Sequence, residues 1–179
     1  MDLVISRINI KGALFVLTER KTKLTLLSLL KNKEAKNVVD VFNKLESNLG
    51  LENFKKIFKT ITTDNGVEFK NVSGMESSIL NQNEKRTNVY FARTYKSLDK
   101  GCVENVNRLI HIKFPKGTNF EKINQNQLED LWKYVNEYPR KSFDFKNALF
   151  MYNKFNIDKN ILGLSENNDK FLLQTIIAN

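Results

Sequence analysis

The stretch LVISRINIKGALFVLTERKTKLTLLSLL, residues 3–30, decides the fold class. Leu3-Val4-Ile5 reads as a short strand and Asn9 to Gly12 as a turn. Ala13 to Leu17 is an unbroken apolar run of strand length, and Leu24 to Leu30 is another. Arg20-Lys21-Thr22-Lys23 between these runs suits a hairpin turn. Residues 3–30 therefore predict a three-stranded meander.

Downstream the period changes from strand to helix. Asn32 is placed to cap a helix, with Glu34 in a first turn where the helix dipole favours an anion. Ala35, Val38, Phe42, Leu45 and Leu49 recur at helical spacing, and Gly50 supplies a stop. Phe58 to Thr63 predicts a fourth strand, ending at Asp64-Asn65-Gly66. Ser73-Gly74-Met75-Glu76 has capping-box spacing ahead of a short helix. Asn81 to Thr87 is polar and reads as loop, and Asn88 to Ala92 as a fifth strand. A second strong helix covers Gly101 to Lys113 and is broken by Pro115-Lys116-Gly117. A third starts at Asn124, with Gln127 placed for a capping box, and carries Leu128, Leu131, Trp132 and Val135 before Pro139. From Asn156 onward the pattern weakens, apart from the apolar Phe171 to Ile177. The order β-β-β-α-β-α-β-α-α implies an α/β fold, a five-stranded mixed sheet with helices on both faces.

Composition narrows the function classes. A chain of 179 residues fits one domain and can bury a core without staples. Its single cysteine, Cys102, excludes an internal disulfide framework, and with one histidine, His111, it leaves no Cys/His zinc cage. No apolar run approaches the roughly 18 residues of a membrane span. Arg7, Asn9 and Lys11 interrupt the first apolar stretch, so no signal-peptide pattern is expected. Lys+Arg 29 against Asp+Glu 20 gives a net charge of +9. That excess points towards phosphate-bearing partners, since each neutralised phosphate releases condensed counterions. The other reading is a merely basic soluble protein, its lysines reflecting an AT-rich coding bias.

Two places draw chemistry. Asp64 ends the fourth strand and Asp2 begins the first, so the two carboxylates can be neighbours in a sheet that joins those strands. Asp64-Asn65-Gly66 also reads simply as hairpin-turn chemistry. On the helix at 101–113, Glu104, Arg108 and His111 fall on one face, opposite Val103, Val106, Leu109 and Ile110. That face is either a solvated Glu–Arg pair or a metal ligand flanked by phosphate donors. Taken together, Asp2, Asp64 and Glu104 would form an oxygen-only site for two divalent cations, which selects Mg²⁺ or Mn²⁺. Such a pair of ions activates a water or a 3′-hydroxyl and stabilises the leaving oxygen of a phosphodiester.

The motifs TTDNGVEF (62–69), VYFARTY (89–95), GCVENVNRLI (101–110), FPKGTNF (114–120) and NEYPRK (136–141) occur in that order, with LTERKTK (17–23) upstream. Together they resemble the catalytic core of bacterial insertion-sequence transposases of the "insertion sequence thirty" family, within the Asp-Asp-Glu transposase and retroviral-integrase superfamily. The resemblance covers about residues 2–155 and implies a ribonuclease-H-like core there, followed by a tail at 156–179. It implies a metal-dependent enzyme that cuts transposon ends and joins their 3′-hydroxyls to target DNA. Asp2, Asp64 and Glu104 match its catalytic and metal-binding acids, with Mg²⁺ or Mn²⁺ as cofactor. Arg108, His111, Lys116, Arg140 and Lys141 are the residues expected to meet DNA phosphates. A bacterial, cytoplasmic and nucleoid-associated protein, acting as a homodimer or higher oligomer on DNA, is implied as well.

The chain departs from the family pattern at Val103, Arg108, His111, Tyr138 and Asn147-Ala148, and Asp64 and Glu104 stand 104 − 64 = 40 residues apart. Only Met1 precedes Asp2, where family members carry a helix-turn-helix region, so the expectation is an N-terminally truncated core. Hence a second expectation, an inactive remnant that binds DNA nonspecifically. A third, an unrelated basic binding module with RNA as an example of its partner, is disfavoured because adjacent Tyr90 and Phe91 on one strand point to opposite faces and make a poor stacking platform.

Overall fold

The computed structural model describes residues 1–92 and 101–154. The meander forms as its apolar runs predict: β1 Asp2–Ile5, β2 Ala13–Thr18 and β3 Thr25–Leu30. All three pair antiparallel, with Asp2 opposite Val16 and Ala13 opposite Leu30. The β2–β3 turn is built on Glu19, whose carboxylate accepts from the Lys21 and Thr22 backbone N–H groups and from the Thr22 hydroxyl. Lys23 closes the turn in the left-handed region, at φ 64°. β2 is buried along its length, so both faces of this sheet are covered. Phe42, from the helix that follows, meets Phe15 edge-on, at 6.2 Å between ring centroids. Asp2 shares the opposite face with Val16.

α1 runs Ala35–Leu49 and buries Val38, Val41, Phe42, Leu45 and Leu49. Its N-cap is Glu34 rather than Asn32. Asn32 lies two residues ahead and accepts from the Glu34 N–H, so it holds the entry to the helix instead of its first turn. Gly50 ends α1 at φ 74°, a conformation open to glycine at no steric cost, and donates to Glu46 O. A further helix, α2 at Leu51–Ile57, follows at once and buries Phe54. β4, Thr60–Thr63, then pairs in parallel with β5, Asn88–Phe91. Between them lies α3, Val72–Glu76, capped by Asn71 through the Gly74 N–H rather than by the expected Ser73 box. Glu76 is engaged elsewhere, accepting from the Val89 N–H and from Lys85. α4 is Gly101–Lys113, α5 Gln125–Glu137 and α6 Ala148–Lys154. α5 carries the predicted capping box, with Asn124 and Gln127 each bonded to the other's backbone.

The five strands form two sheets, β1-β2-β3 and β4-β5, in place of the single mixed sheet expected. The edges of β1 and β4 meet at a main-chain hydrogen bond, from the Met1 ammonium to Thr62 O at 2.6 Å, without joining into one sheet. Beyond it, Leu17-Thr18 of β2 and Thr60-Ile61 of β4 part around a cavity of about 380 Å³, with Arg20 and Cys102 on its wall.

Polar side chains tie the second sheet to the core. Arg86 and Glu46 are both fully buried and paired at 3.0 Å. Arg86 also donates to Met75 O, Gly74 O and Asn43 Oδ1, and its guanidinium lies over the rings of Phe42 and Phe54. Glu46 accepts in addition from the Ser78 hydroxyl and the Ile79 N–H. Burial lowers the Arg86 pKa from the ordinary arginine value, and the Glu46 charge opposes that shift. Among the described residues no helix is long and apolar enough to cross a membrane.

Candidate nucleic-acid-processing site

Asp2 sits at the start of β1, where its register with Val16 turns the side chain to one sheet face. One carboxylate oxygen accepts from the Leu3 N–H at 3.0 Å. The other accepts from Asn107 Nδ2 at 2.8 Å. Asn107 lies on α4, three residues past Glu104, so β1 delivers its acid to the helix face that carries Glu104. That face divides as the periodicity predicts: Glu104 and Arg108 are exposed, and Val103, Val106, Leu109 and Ile110 are buried.

Asp64 follows β4 directly and is half-buried. Its Oδ1 accepts from the Gly66 N–H at 3.1 Å, which closes an Asx turn into the 3₁₀ turn Val67–Phe69. The hairpin reading of Asp64-Asn65-Gly66 is thereby replaced, because β5 runs parallel to β4. A Cβ at Gly66 would stand 2.7 Å from Glu68 Oε2 and 3.0 Å from Asp64 Oδ1. Glu68 thus crowds the same point as Asp64. Its place inside TTDNGVEF, four residues past Asp64, is the sequence signal for it.

The three acids therefore reside on β1, at the end of β4 and on α4. Among the described residues, no three His, Cys, Asp or Glu side chains are drawn together into a ready cage. In donor chemistry carboxylate and amide oxygens suit a hard cation, and beside Asp2 the Asn107 Oδ1 is buried with no hydrogen-bond partner among the described residues.

The expected phosphate donors divide into two groups. Arg108, Lys116 and Lys141 are exposed. His111 is half-buried, with Nδ1 3.2 Å from Phe114 O. Arg140 is turned inward: Nη2 donates to Val135 O at 3.1 Å, and buried Nε has no partner among the described residues. Burial holds its pKa below the ordinary arginine value, with Cys102 opposing. Tyr90 and Phe91 are both exposed on β5. Arg93 to Tyr95 of the VYFARTY motif, and the tail at 156–179, lie outside the described residues.

Asn136 opens the NEYPRK motif. It is fully buried, accepts from the Thr25 N–H at 2.8 Å and donates to Thr25 O at 3.0 Å. The two bonds to Thr25 fix α5 against β3, and a third, to Trp132 O at 3.0 Å, holds the Asn136 side chain within its own helix.

No protein-family model matches the chain. Among curated proteins, it is 33% identical over 138 residues to a probable transposase for the insertion-like sequence element IS1161 of Streptococcus salivarius, covering 76% of this chain and 35% of that protein. It is 29% identical over 145 residues to the transposase for insertion sequence element IS4351 of Bacteroides fragilis, covering 81% of this chain and 41% of that protein. The transposase InsI for insertion sequence element IS30A of Escherichia coli K12 is 29% identical over 134 residues, covering 73% of this chain and 31% of that protein. The chain thus spans well under half the length of these relatives.

Proposed function

The chain is a relative of insertion-sequence transposases, the insertion sequence thirty type among them, and we propose that it is the DNA-cutting and DNA-joining core of such a protein. The observation that carries this reading is the Asp2–Asn107 contact, which lays the acid of β1 on the helix that holds Glu104. The Met1–Thr62 hydrogen bond supports it by setting β4, and Asp64 at its end, beside β1. With β1 and β4 as neighbours the strands run β3-β2-β1-β4-β5, the reason to propose a ribonuclease-H-like core.

In this proposal Asp2, Asp64 and Glu104 hold Mg²⁺ or Mn²⁺. When bound, such cations supply charge stabilisation to the oxygens of a phosphodiester under attack. The chain's own residues orient the acids: Leu3 N–H and Asn107 hold the Asp2 carboxylate, and Gly66 N–H holds that of Asp64. The overall reaction transfers a phosphoryl bond. A 3′-hydroxyl attacks the target phosphorus and gives its proton to solvent, the P–O3′ bond of the target breaks, and the departing 3′-oxygen takes a proton from solvent to leave as a hydroxyl. Exposed Arg108, Lys116 and Lys141 meet DNA phosphates, in keeping with the net charge of +9. Two transposon ends call for at least two copies of the chain, in the cytoplasm where the chromosome lies.

A nicking and joining assay in Mn²⁺, with Glu104→Gln as the paired variant, tests the proposal. Joined product from the wild type and none from E104Q is expected. Equal product from both overturns the assignment of Glu104. A second reading, a non-catalytic DNA-binding remnant, is favoured by one observation: the acids are not gathered into a cage among the described residues. It predicts salt-sensitive DNA binding with no Mn²⁺ uptake.

A further inference from the structure

The side chain that links β1 to α4 has a second, unused end. Asn107 carries one carbonyl oxygen and one amide nitrogen, an acceptor and a double donor. The nitrogen is committed to Asp2 Oδ2 at 2.8 Å. The oxygen is buried and has no hydrogen-bond partner among the described residues. Leaving a buried acceptor unsatisfied is unfavourable, so such atoms call for an explanation. If Asn107 served only to tie the helix to the strand, its oxygen would be expected to find a main-chain N–H or face water. Instead it lies within the same amide group that touches one proposed metal ligand, one helical turn from another, Glu104. Amide oxygens are common ligands of hard divalent cations.

We propose that Asn107 is an additional member of the site, an amide that holds Asp2 with its nitrogen and offers its oxygen to the divalent cation. This rests on the reading of Asp2 and Glu104 as metal ligands. The sequence pattern passes over it, because Asn107 is uncharged on a face chosen for its charges. It lies three residues past Glu104, on the same side of α4 as the Glu104–Arg108 pair.

The test is Mn²⁺ binding to the full chain, by calorimetry and electron spin resonance, with thermal unfolding followed in parallel. Asn107→Ala is expected to weaken Mn²⁺ binding by about 10- to 100-fold while remaining folded. Asn107→Asp supplies an oxygen but sets two like charges side by side. It is expected to melt below the wild type without Mn²⁺ and to recover when Mn²⁺ is added. A merely structural Asn107 predicts lowered melting in both variants, no Mn²⁺-dependent recovery in N107D and an unchanged Mn²⁺ affinity in N107A. That result overturns the proposal and leaves the metal site standing. A wild type that takes up no Mn²⁺ overturns the metal reading itself, and the role of Asn107 with it.

Discussion

The two sheets are held in different ways. β1-β2-β3 is antiparallel, local in sequence, and sealed by apolar side chains on both faces of β2. β4-β5 is parallel, joins residues about 28 apart in the chain, and leaves Tyr90 and Phe91 in solvent. Its support is polar. Arg86 and Glu46 clamp the connection to α1, Glu76 bonds the Val89 N–H, and the Thr87 hydroxyl bonds Phe58 O. A two-stranded parallel pair has little apolar area to offer, so directional bonds fix what packing cannot. Errors in such bonds are costly, because each leaves a buried polar group without its partner.

That contrast can be broken most sharply at Glu46. Glu46→Ala strands a fully buried guanidinium and is expected to cost about 3–5 kcal/mol, read from urea unfolding. Glu46→Leu combined with Arg86→Met removes both charges and is expected to recover most of that loss. If the double variant is no better than the single one, the clamp is not an ion pair in energetic terms. In the meander the corresponding polar contact is Asn136 on Thr25. Asn136→Ala is expected to cost about 1–3 kcal/mol, less than Glu46→Ala, because the orphaned Thr25 groups are uncharged. An equal or larger loss would erase the distinction between the sheets.

The smallest effect is one of pH. The Lys85 ammonium, with help from the Val89 N–H, holds the Glu76 pKa below its ordinary 4.5. A carboxylate lowered on folding stabilises the native state above its unfolded pKa, and the contribution is lost as pH falls through the lowered folded value. Stability is therefore expected to decline from about pH 5 downward. Glu76→Gln is expected to flatten that decline, measured as the urea midpoint against pH. An unchanged slope would show that other carboxylates dominate it.

The meander, α1, α4 and α5 were legible because their signals are local: apolar runs, helical spacing, Gly50 and the Asn124–Gln127 box. α2 was not, since Leu51, Phe54 and Ile57 give it only one apolar residue per turn over seven residues. The Arg86–Glu46 clamp joins residues 40 positions apart and leaves no local pattern. Joining five strands into one sheet followed from their order, whereas closure depends on how many hydrogen bonds β1 and β4 share, and order does not encode that. Of the candidate site, Asp2, Asp64 and Glu104 were legible as acids at strand ends and on one helix face. Asn107 was not, because its significance lies in which atom it approaches.

Asn136 has one more consequence. An outermost strand offers its free N–H and C=O groups to any stranger able to run alongside it, which is how sheets recruit one another into aggregates. By occupying both groups of Thr25, Asn136 closes that end of β3 to templated growth. A single amide thereby steers self-association away from this end of the sheet.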